Sequence, residues 1–299
     1  MPTMIQTDPA RASYPQTDPP RPAREYLPTM YDLPSEEIGD AGMPDEFHVR
    51  QVMLLDETFI PPAVSPDEVF SAIDMNLYYD LRRTDWYKRP DWFAVIGAPR
   101  LYEGRDSRLS YVVWQEPVAP LIIVELLSPK TEKEDLGQTL REVNQPPTKW
   151  EVYERILRVP YYVVFGRKAD ELRVFKSSAM KYDEVVGHDG RVWIPEADLG
   201  LGLWLGSYRG DERLWLRWYD AQDNWIPTRD ERVEQERRIA EQERSEKEAA
   251  LLREARSFQR AEQAEQRAEQ ERQRAEQERQ RAERLAELLR QMGKDPDQL

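Results

Sequence analysis

The sequence contains no cysteine and only two histidines, His48 and His188, in 299 residues. Without thiols there are no disulfides, no thiolate nucleophile, no Cys-ligated zinc and no iron–sulfur cluster, and two histidines are too few for a His-rich metal centre. Any metal must therefore sit on oxygen. No apolar run approaches the roughly 20 residues that a membrane span needs. Residues 1–30 are rich in proline and polar side chains and hold no apolar core of a signal peptide. The expectation is a cytoplasmic protein with no membrane partner. Also missing are a P-loop, a dinucleotide fingerprint and a nucleophile elbow, and neither histidine has the partner spacing of a general base.

Positive charge is scarce as well, with a net charge of −14. Up to Thr228 there are 26 lysines and arginines against 38 acids, and from Arg229 onward 17 against 19. The acidity lies in the part with folding potential. Non-specific DNA affinity comes from cation–phosphate contacts, so such a chain handles DNA only through a local basic patch or metal-bridged phosphates. Arg82, Arg83, Lys88 and Arg89 are the candidate patch.

What is present divides into three segments. Residues 1–41 carry eight prolines between Pro2 and Pro34 and read as an extended lead-in. Residues 42–228 hold the strand-like runs and are long enough for one buried core. Glu68–Tyr79 alternates like a half-exposed strand, whereas Trp92–Gly97, Leu121–Leu127 and Tyr161–Phe165 are continuous apolar runs of interior strands. Tyr111–Trp114, Glu171–Phe175 and Arg191–Ile194 are further strands. Between the Leu121 and Tyr161 strands, Thr148-Lys-Trp-Glu151 has the form of a capping box, after the helix-excluding pair Pro146-Pro147. It opens a helix running to about Leu157. Strands, one crossover helix and more strands specify an α/β fold with a mixed sheet.

Residues 229–299 form a charged heptad segment. Ala268–Arg274 is repeated without change as Ala275–Arg281. Ala261, Ala268, Ala275 and Ala282 recur every seventh residue, but the second seam position alternates between Ala264, Glu271, Glu278 and Leu285. Leu285, Leu288, Leu289 and Met292 complete an apolar stripe before Gly293. Two readings fit: a solvated single helix held by i,i+4 Glu–Arg pairs, or a coiled coil joining a homodimer or higher oligomer through 229–292.

Two carboxylates accompany interior strands. Asp91 immediately precedes Trp92, and Glu125 lies inside Leu121–Leu127. A charge embedded in an apolar strand is costly unless it is paired, exposed at an edge or bound to metal.

Arg89-Pro-Asp91-Trp-Phe-Ala-Val-Ile-Gly97, Val124-Glu125-Leu-Leu-Ser-Pro-Lys-Thr131, Asp135, Lys149-Trp-Glu-Val-Tyr153 and Val159-Pro-Tyr-Tyr162, in this order, resemble the Uma-type restriction endonuclease family. That family, formerly a domain of unknown function, sits in the PD-(D/E)XK nuclease superfamily. The resemblance covers roughly 43–210, and heptad tails are frequent in the family. It implies a restriction-endonuclease-like core with flanking helices, and an endonuclease acting on DNA that depends on Mg²⁺, with Mn²⁺ as the alternative ion. By the same resemblance Asp91, Glu125 and the backbone carbonyl of Leu126 are metal ligands. The lysine that usually follows the glutamate by two residues is replaced by Leu127. The resemblance places it on the later helix, as Lys149, with Asp91 and Glu125 completing the catalytic set; Lys130 and Lys133 remain competitors. Asp135 reads as a loop acid or part of a short helix opened by Thr131, and Tyr153 as a core tyrosine. The alternative function is an inactive nuclease-fold scaffold that assembles through its C-terminal coiled coil. The two differ in geometry: an active site needs Lys149 to converge on both carboxylates.

Overall fold

The computed structural model describes residues 19–20, 22–30, 32–33, 46–127, 132–139, 141, 144–166, 170–185 and 190–291. Two compact units divide the chain, Met1–Arg229 and Asp230–Leu299.

The first unit opens with a short helix α1 (Ala23–Tyr26) and continues into helix α2 (Glu46–Thr58). Strands β1 (Val69–Ile73), β2 (Leu77–Tyr78), β3 (Tyr87–Lys88), β4 (Trp92–Ile96), β5 (Tyr111–Val112) and β6 (Ile122–Leu126) follow. The crossover carries α3 (Glu132–Asp135), α4 (Lys149–Glu151) and a π-helical turn, Val152–Ile156. Then come β7 (Tyr161–Gly166), β8 (Glu171–Ser178), β9 (Lys181–Glu184), β10 (Arg191–Ile194), β11 (Leu199–Tyr208) and β12 (Asp211–Tyr219).

The strand expected over Glu68–Tyr79 is broken into β1 and β2, because Asp74 takes a positive φ of 49° between them. The strand expected at Tyr111–Trp114 shortens to β5 and passes into a 3₁₀ turn at Val113–Gln115. Helix α2 had no strong sequence signature. Its buried face interleaves Phe47, Val52, Leu54 and Leu55 with His48, Gln51 and Thr58, which dilutes the apolar period. Gln51 acts almost as a strand: its amide donates to Leu216 O at 2.7 Å and accepts from Leu216 N at 2.9 Å.

Six strands form one mixed sheet in the order β1-β4-β6-β7-β8-β9. Only β6 and β7 are parallel; the other neighbours run antiparallel. A parallel pair needs a crossover, and the segment between β6 and β7 supplies it. Smaller sheets, β10-β11-β12 and β3-β2-β5, accompany it. Alternation along the interior strands divides the core. Trp92, Val124, Leu126, Val163 and Phe165 join a cluster with Phe47, Trp215 and Trp218. Phe93, Val95, Ile123, Tyr162 and Val164 join Val152 and Tyr153 on the opposite face. Glu125 alternates with Val124 and Leu126, so its side chain takes the second face, toward the crossover.

Residues 22–30 and 32–33 lie within the proline-rich lead-in, yet they dock on the domain. Met30 is buried with Tyr78, Tyr102 and Val112, and the Trp114 indole donates to Pro28 O at 3.1 Å. Apart from residues 19–20, the rest of the lead-in lies outside the described residues.

The second unit is built on helix α5 (Arg229–Gln291), 63 residues long and exposed along nearly all of its described side chains. Arg238–Glu234 and Arg237–Glu241 pair at i,i+4 spacing, both at 3.2 Å. Leu285 and Leu288 of the apolar stripe are half exposed; Met292 and Gly293 lie outside the described residues.

Candidate active site

The sheet brings the two sequence-selected carboxylates together. Because β4 and β6 are antiparallel and Trp92 pairs with Val124, Asp91 enters β4 beside Glu125 near the end of β6. Leu126 N donates to Asp91 Oδ2 at 2.6 Å, and Asp91 N donates to Glu125 Oε2 at 3.3 Å. In each bond a backbone N–H holds a carboxylate oxygen, which sets the relative position of the acids.

The crossover helix supplies the cation. Thr148 caps α4 through a reciprocal capping box with Glu151, which sets Lys149 in the first helical turn. A cation there opposes the helix dipole. Three carboxylates compensate: Lys149 Nζ lies 2.8 Å from Glu125 Oε2 and 3.3 Å from Asp135 Oδ1, and Asp91 adds a longer-range attraction. Lys149 thus contacts Glu125 directly and acts on Asp91 only at longer range. Lys133 stands exposed on α3 and contacts neither carboxylate, and Lys130 lies outside the described residues.

The same helix provides a second donor. The chain winds into a π turn from Val152, and Tyr153, fully buried, donates its hydroxyl to Glu125 Oε1 at 2.9 Å. Tyr153 is a core tyrosine whose polar end belongs to the site. π turns of this kind often mark functional positions.

Asp135 joins the cluster from α3. It is 1% exposed, both carboxylate oxygens are buried without a hydrogen-bond donor, and the Lys149 ammonium faces one of them. Tyr162 OH donates to its backbone carbonyl at 2.9 Å. Gly137 ends α3 at φ +68°, and a Cβ there would stand 2.8 Å from the Trp150 ring. The missing side chain lets α3 lie against α4. Sequence periodicity gave no signal for Asp135 as a site residue; its signal is tertiary.

Three buried acids around one ammonium leave an excess of negative charge. Burial pushes the Glu125 carboxyl up to about 8, with Asp91 and Asp135 adding to the shift and Lys149 opposing it. Burial likewise raises Asp91, against the pull of Lys149. Burial also works against the Lys149 charge, but Glu125, Asp135 and Asp91 together hold its proton more tightly than an ordinary lysine.

This donor set fits a hard divalent cation. Asp91 and Glu125 offer oxygen, the charge excess favours a cation, and Asp135 has no hydrogen-bond donor beyond the ion pair that its Oδ1 makes with Lys149. Among the described residues no three carboxylate or histidine groups already form a metal cage. The fit is therefore to an ion that keeps several waters and uses one or two carboxylates, as Mg²⁺ does. The carbonyl of Leu126 lies 3.3 Å from His48 Nε2, so a metal would share it with the imidazole.

A cleft of about 390 Å³ opens over Lys149 and Asp135. Asp91 and Glu125 do not line it; Lys149 stands between the cleft and the glutamate. The expected basic rim is instead largely neutralised. Arg89 pairs with Asp74 at 2.9 Å, Lys88 reaches Glu134 at 3.4 Å, and Arg83 lies 4.5 Å over the Trp86 ring. Arg82 is exposed.

A mixed sheet with its acids at adjacent strand ends and a lysine-bearing crossover defines a restriction-endonuclease-like protein. The family described as "Uma2: Putative restriction endonuclease" matches residues 23–207, and the chain belongs to that family. The solved structures that resemble it include a putative nuclease belonging to DUF820 from Anabaena variabilis ATCC 29413. That chain is 15% identical, with a TM-score of 0.35, and the match covers 56% of this chain and 90% of the other. No curated protein matches. No helix among the described residues is long and apolar enough to cross a membrane.

Proposed function

We propose that the protein is a Mg²⁺-dependent endonuclease that hydrolyses DNA phosphodiester bonds, with Mn²⁺ as an alternative ion. The observation that carries the reading is the convergence of Lys149 Nζ on Glu125 Oε2 at 2.8 Å beside Asp91. Asp91 and Glu125 hold the ion, with the Leu126 carbonyl as a further oxygen. A bound divalent ion polarises the phosphoryl oxygen and lowers the pKa of a water. Lys149 orients the attacking water and offsets charge on the phosphate as the bond breaks. Tyr153 holds Glu125 in place from the other side, and burial under Lys149 keeps bulk water from the carboxylate.

Plasmid nicking in Mg²⁺ tests the reading. Asp91→Asn and Lys149→Ala should each lower cleavage by at least about 100-fold, the scale of a lost electrostatic group in a water-excluded site. Equal nicking by both variants and the wild type would overturn it.

The second reading, an inactive nuclease-fold scaffold assembling through a coiled coil formed by 229–292, draws on the neutralised cleft rim. A scaffold predicts that wild type and Asp91→Asn are equally inactive while self-association persists.

A further inference from the structure

We propose that Lys88 and Arg141 form a subsite for a phosphodiester group of a polynucleotide backbone, and that the Glu134 carboxylate occupies it until substrate takes its place. The inference rests on the nuclease reading and names where backbone beside the scissile bond is held.

Two cations reach one carboxylate at the cleft. Lys88 Nζ lies 3.4 Å from Glu134 Oε1, and Arg141 Nη2 lies 2.6 Å from Oε2. The three residues and the site pair Asp135 and Lys149 line the same cavity, together with the Trp86 ring. A bidentate anion with one oxygen toward each cation is already the occupant, and a phosphodiester presents its two non-bridging oxygens in the same way.

Burial decides which partner stays. The Lys88 side chain is 8% exposed, whereas those of Glu134 and Arg141 are 28% and 32% exposed. Lys88 sits on β3, registered opposite Leu77, with its side chain largely buried at the cleft. Burial pulls its ammonium below the ordinary lysine value, and Glu134 is the main opposing influence. An anion beside Lys88 offsets that cost. Glu134 is under no such constraint. It lies on the four-residue α3, partly exposed, and can turn outward. The Lys88–Glu134 separation also exceeds the roughly 2.7–2.9 Å of a strong charge-assisted bond. A better-fitting anion has room to improve on it.

The arrangement accounts for the neutral rim of an acidic protein that would act on DNA. The cleft cations are masked rather than absent. Free, the cleft repels other acidic surfaces little and attracts polyanions weakly; with substrate bound, Lys88 and Arg141 neutralise a backbone charge next to the Lys149 site.

Binding of a short labelled DNA duplex to the full chain, followed by fluorescence anisotropy in EDTA, tests the subsite without metal or cleavage. Glu134→Gln should tighten binding about tenfold. Asp85→Asn removes a charge from the same cleft without touching Lys88 or Arg141, and should change binding much less. Adding Lys88→Met to Glu134→Gln should abolish the gain. Equal gains in the Glu134 and Asp85 variants, no gain at all, or a gain that survives Lys88→Met would each overturn the proposal. Melting temperatures with inorganic phosphate separate the sources of the anion. Stabilisation of Glu134→Gln by phosphate with no gain in duplex binding would mean a small-anion site and would also overturn it.

If Glu134→Gln does not fold, Arg141→Gln, on an exposed residue, serves instead. It should weaken duplex binding several-fold more than Arg105→Gln, an exposed arginine outside the cleft; equal losses would overturn the proposal. The nuclease reading fails separately. If the binding results hold but the wild type shows no metal-dependent cleavage, the subsite stands and the hydrolytic assignment falls.

Discussion

Glu125 is the residue on which the site turns. It accepts from Lys149 Nζ, Tyr153 OH and Asp91 N, yet burial raises its carboxyl to about 8. Because the folded state holds this proton above the usual carboxylate range, the folded state binds more protons than the unfolded chain between about 4.5 and 8. Stability from this group is therefore complete below the unfolded value and is lost as pH rises through about 8. Wild-type melting temperature should fall over that window, and Glu125→Gln should flatten the dependence. A wild-type profile as flat as that of the variant would contradict the shift. Lys149 does not confuse the measurement, since its raised value places its titration at higher pH.

Metal affinity should run the other way. A carboxylate must lose its proton to bind an ion, so Mg²⁺ affinity should rise as pH approaches and passes about 8. Tyr153→Phe removes a donor that favours the ionised form, so the midpoint of that rise should move upward. The same substitution should cost about 1–2 kcal/mol of stability by leaving a buried acceptor underused. An unshifted midpoint, measured by calorimetry across pH, would show that the hydroxyl does not act on Glu125.

At the scale of elements, the sequence exposed what is local and hid what is tertiary. The capping box at Thr148–Glu151 and the buried runs that became β4, β6 and β7 follow from side-chain chemistry within a few residues. The cost of a charge inside β6 singled out Glu125 before any fold was known. The π turn at Val152–Ile156 was not legible, because no residue pattern separates it from an α-helical continuation. Asp135, which stood in the motif set only as a loop or short-helix acid, and Glu134, which nothing singled out, were hard to assign for another reason. Their roles depend on a long connection folding so that α3 meets α4 at Gly137 and Trp150. Helix α2 escaped because its buried polar residues pair with strand β12 and the Leu126 carbonyl instead of extending an apolar stripe.

Thr148 tests the link between element and site. Thr148→Ala removes the bond to Glu151 N and should destabilise the domain by about 1 kcal/mol. Because the cap fixes the start of the turn that carries Lys149, cleavage should fall by more than the change in folded fraction explains. A loss of stability with unchanged turnover would mean that Lys149 is positioned by its carboxylates alone.

At the scale of the whole molecule, a nuclease-fold domain is joined to a charged helix with very different surface chemistry. The exposed Leu285 and Leu288 on α5, with the Ala261–Ala282 repeat before them, favour self-association over a solitary helix. Sedimentation of the full chain should show a concentration-dependent oligomer, and Leu285→Glu with Leu288→Glu should return it to monomer. A monomer at all concentrations would leave the i,i+4 ion pairs as the source of helix stability. Two copies would also supply two active sites, which a double-strand cut requires.

The central claim is that Asp91 and Glu125 hold a divalent ion used to hydrolyse phosphodiesters. Titration of Mg²⁺ and Mn²⁺ by calorimetry into the wild type and Glu125→Gln, with plasmid cleavage on the same samples, tests it most directly. The wild type should bind metal and nick in a metal-dependent way, and the variant should do neither. Neither binding nor cleavage by the wild type across metal and salt conditions would contradict it.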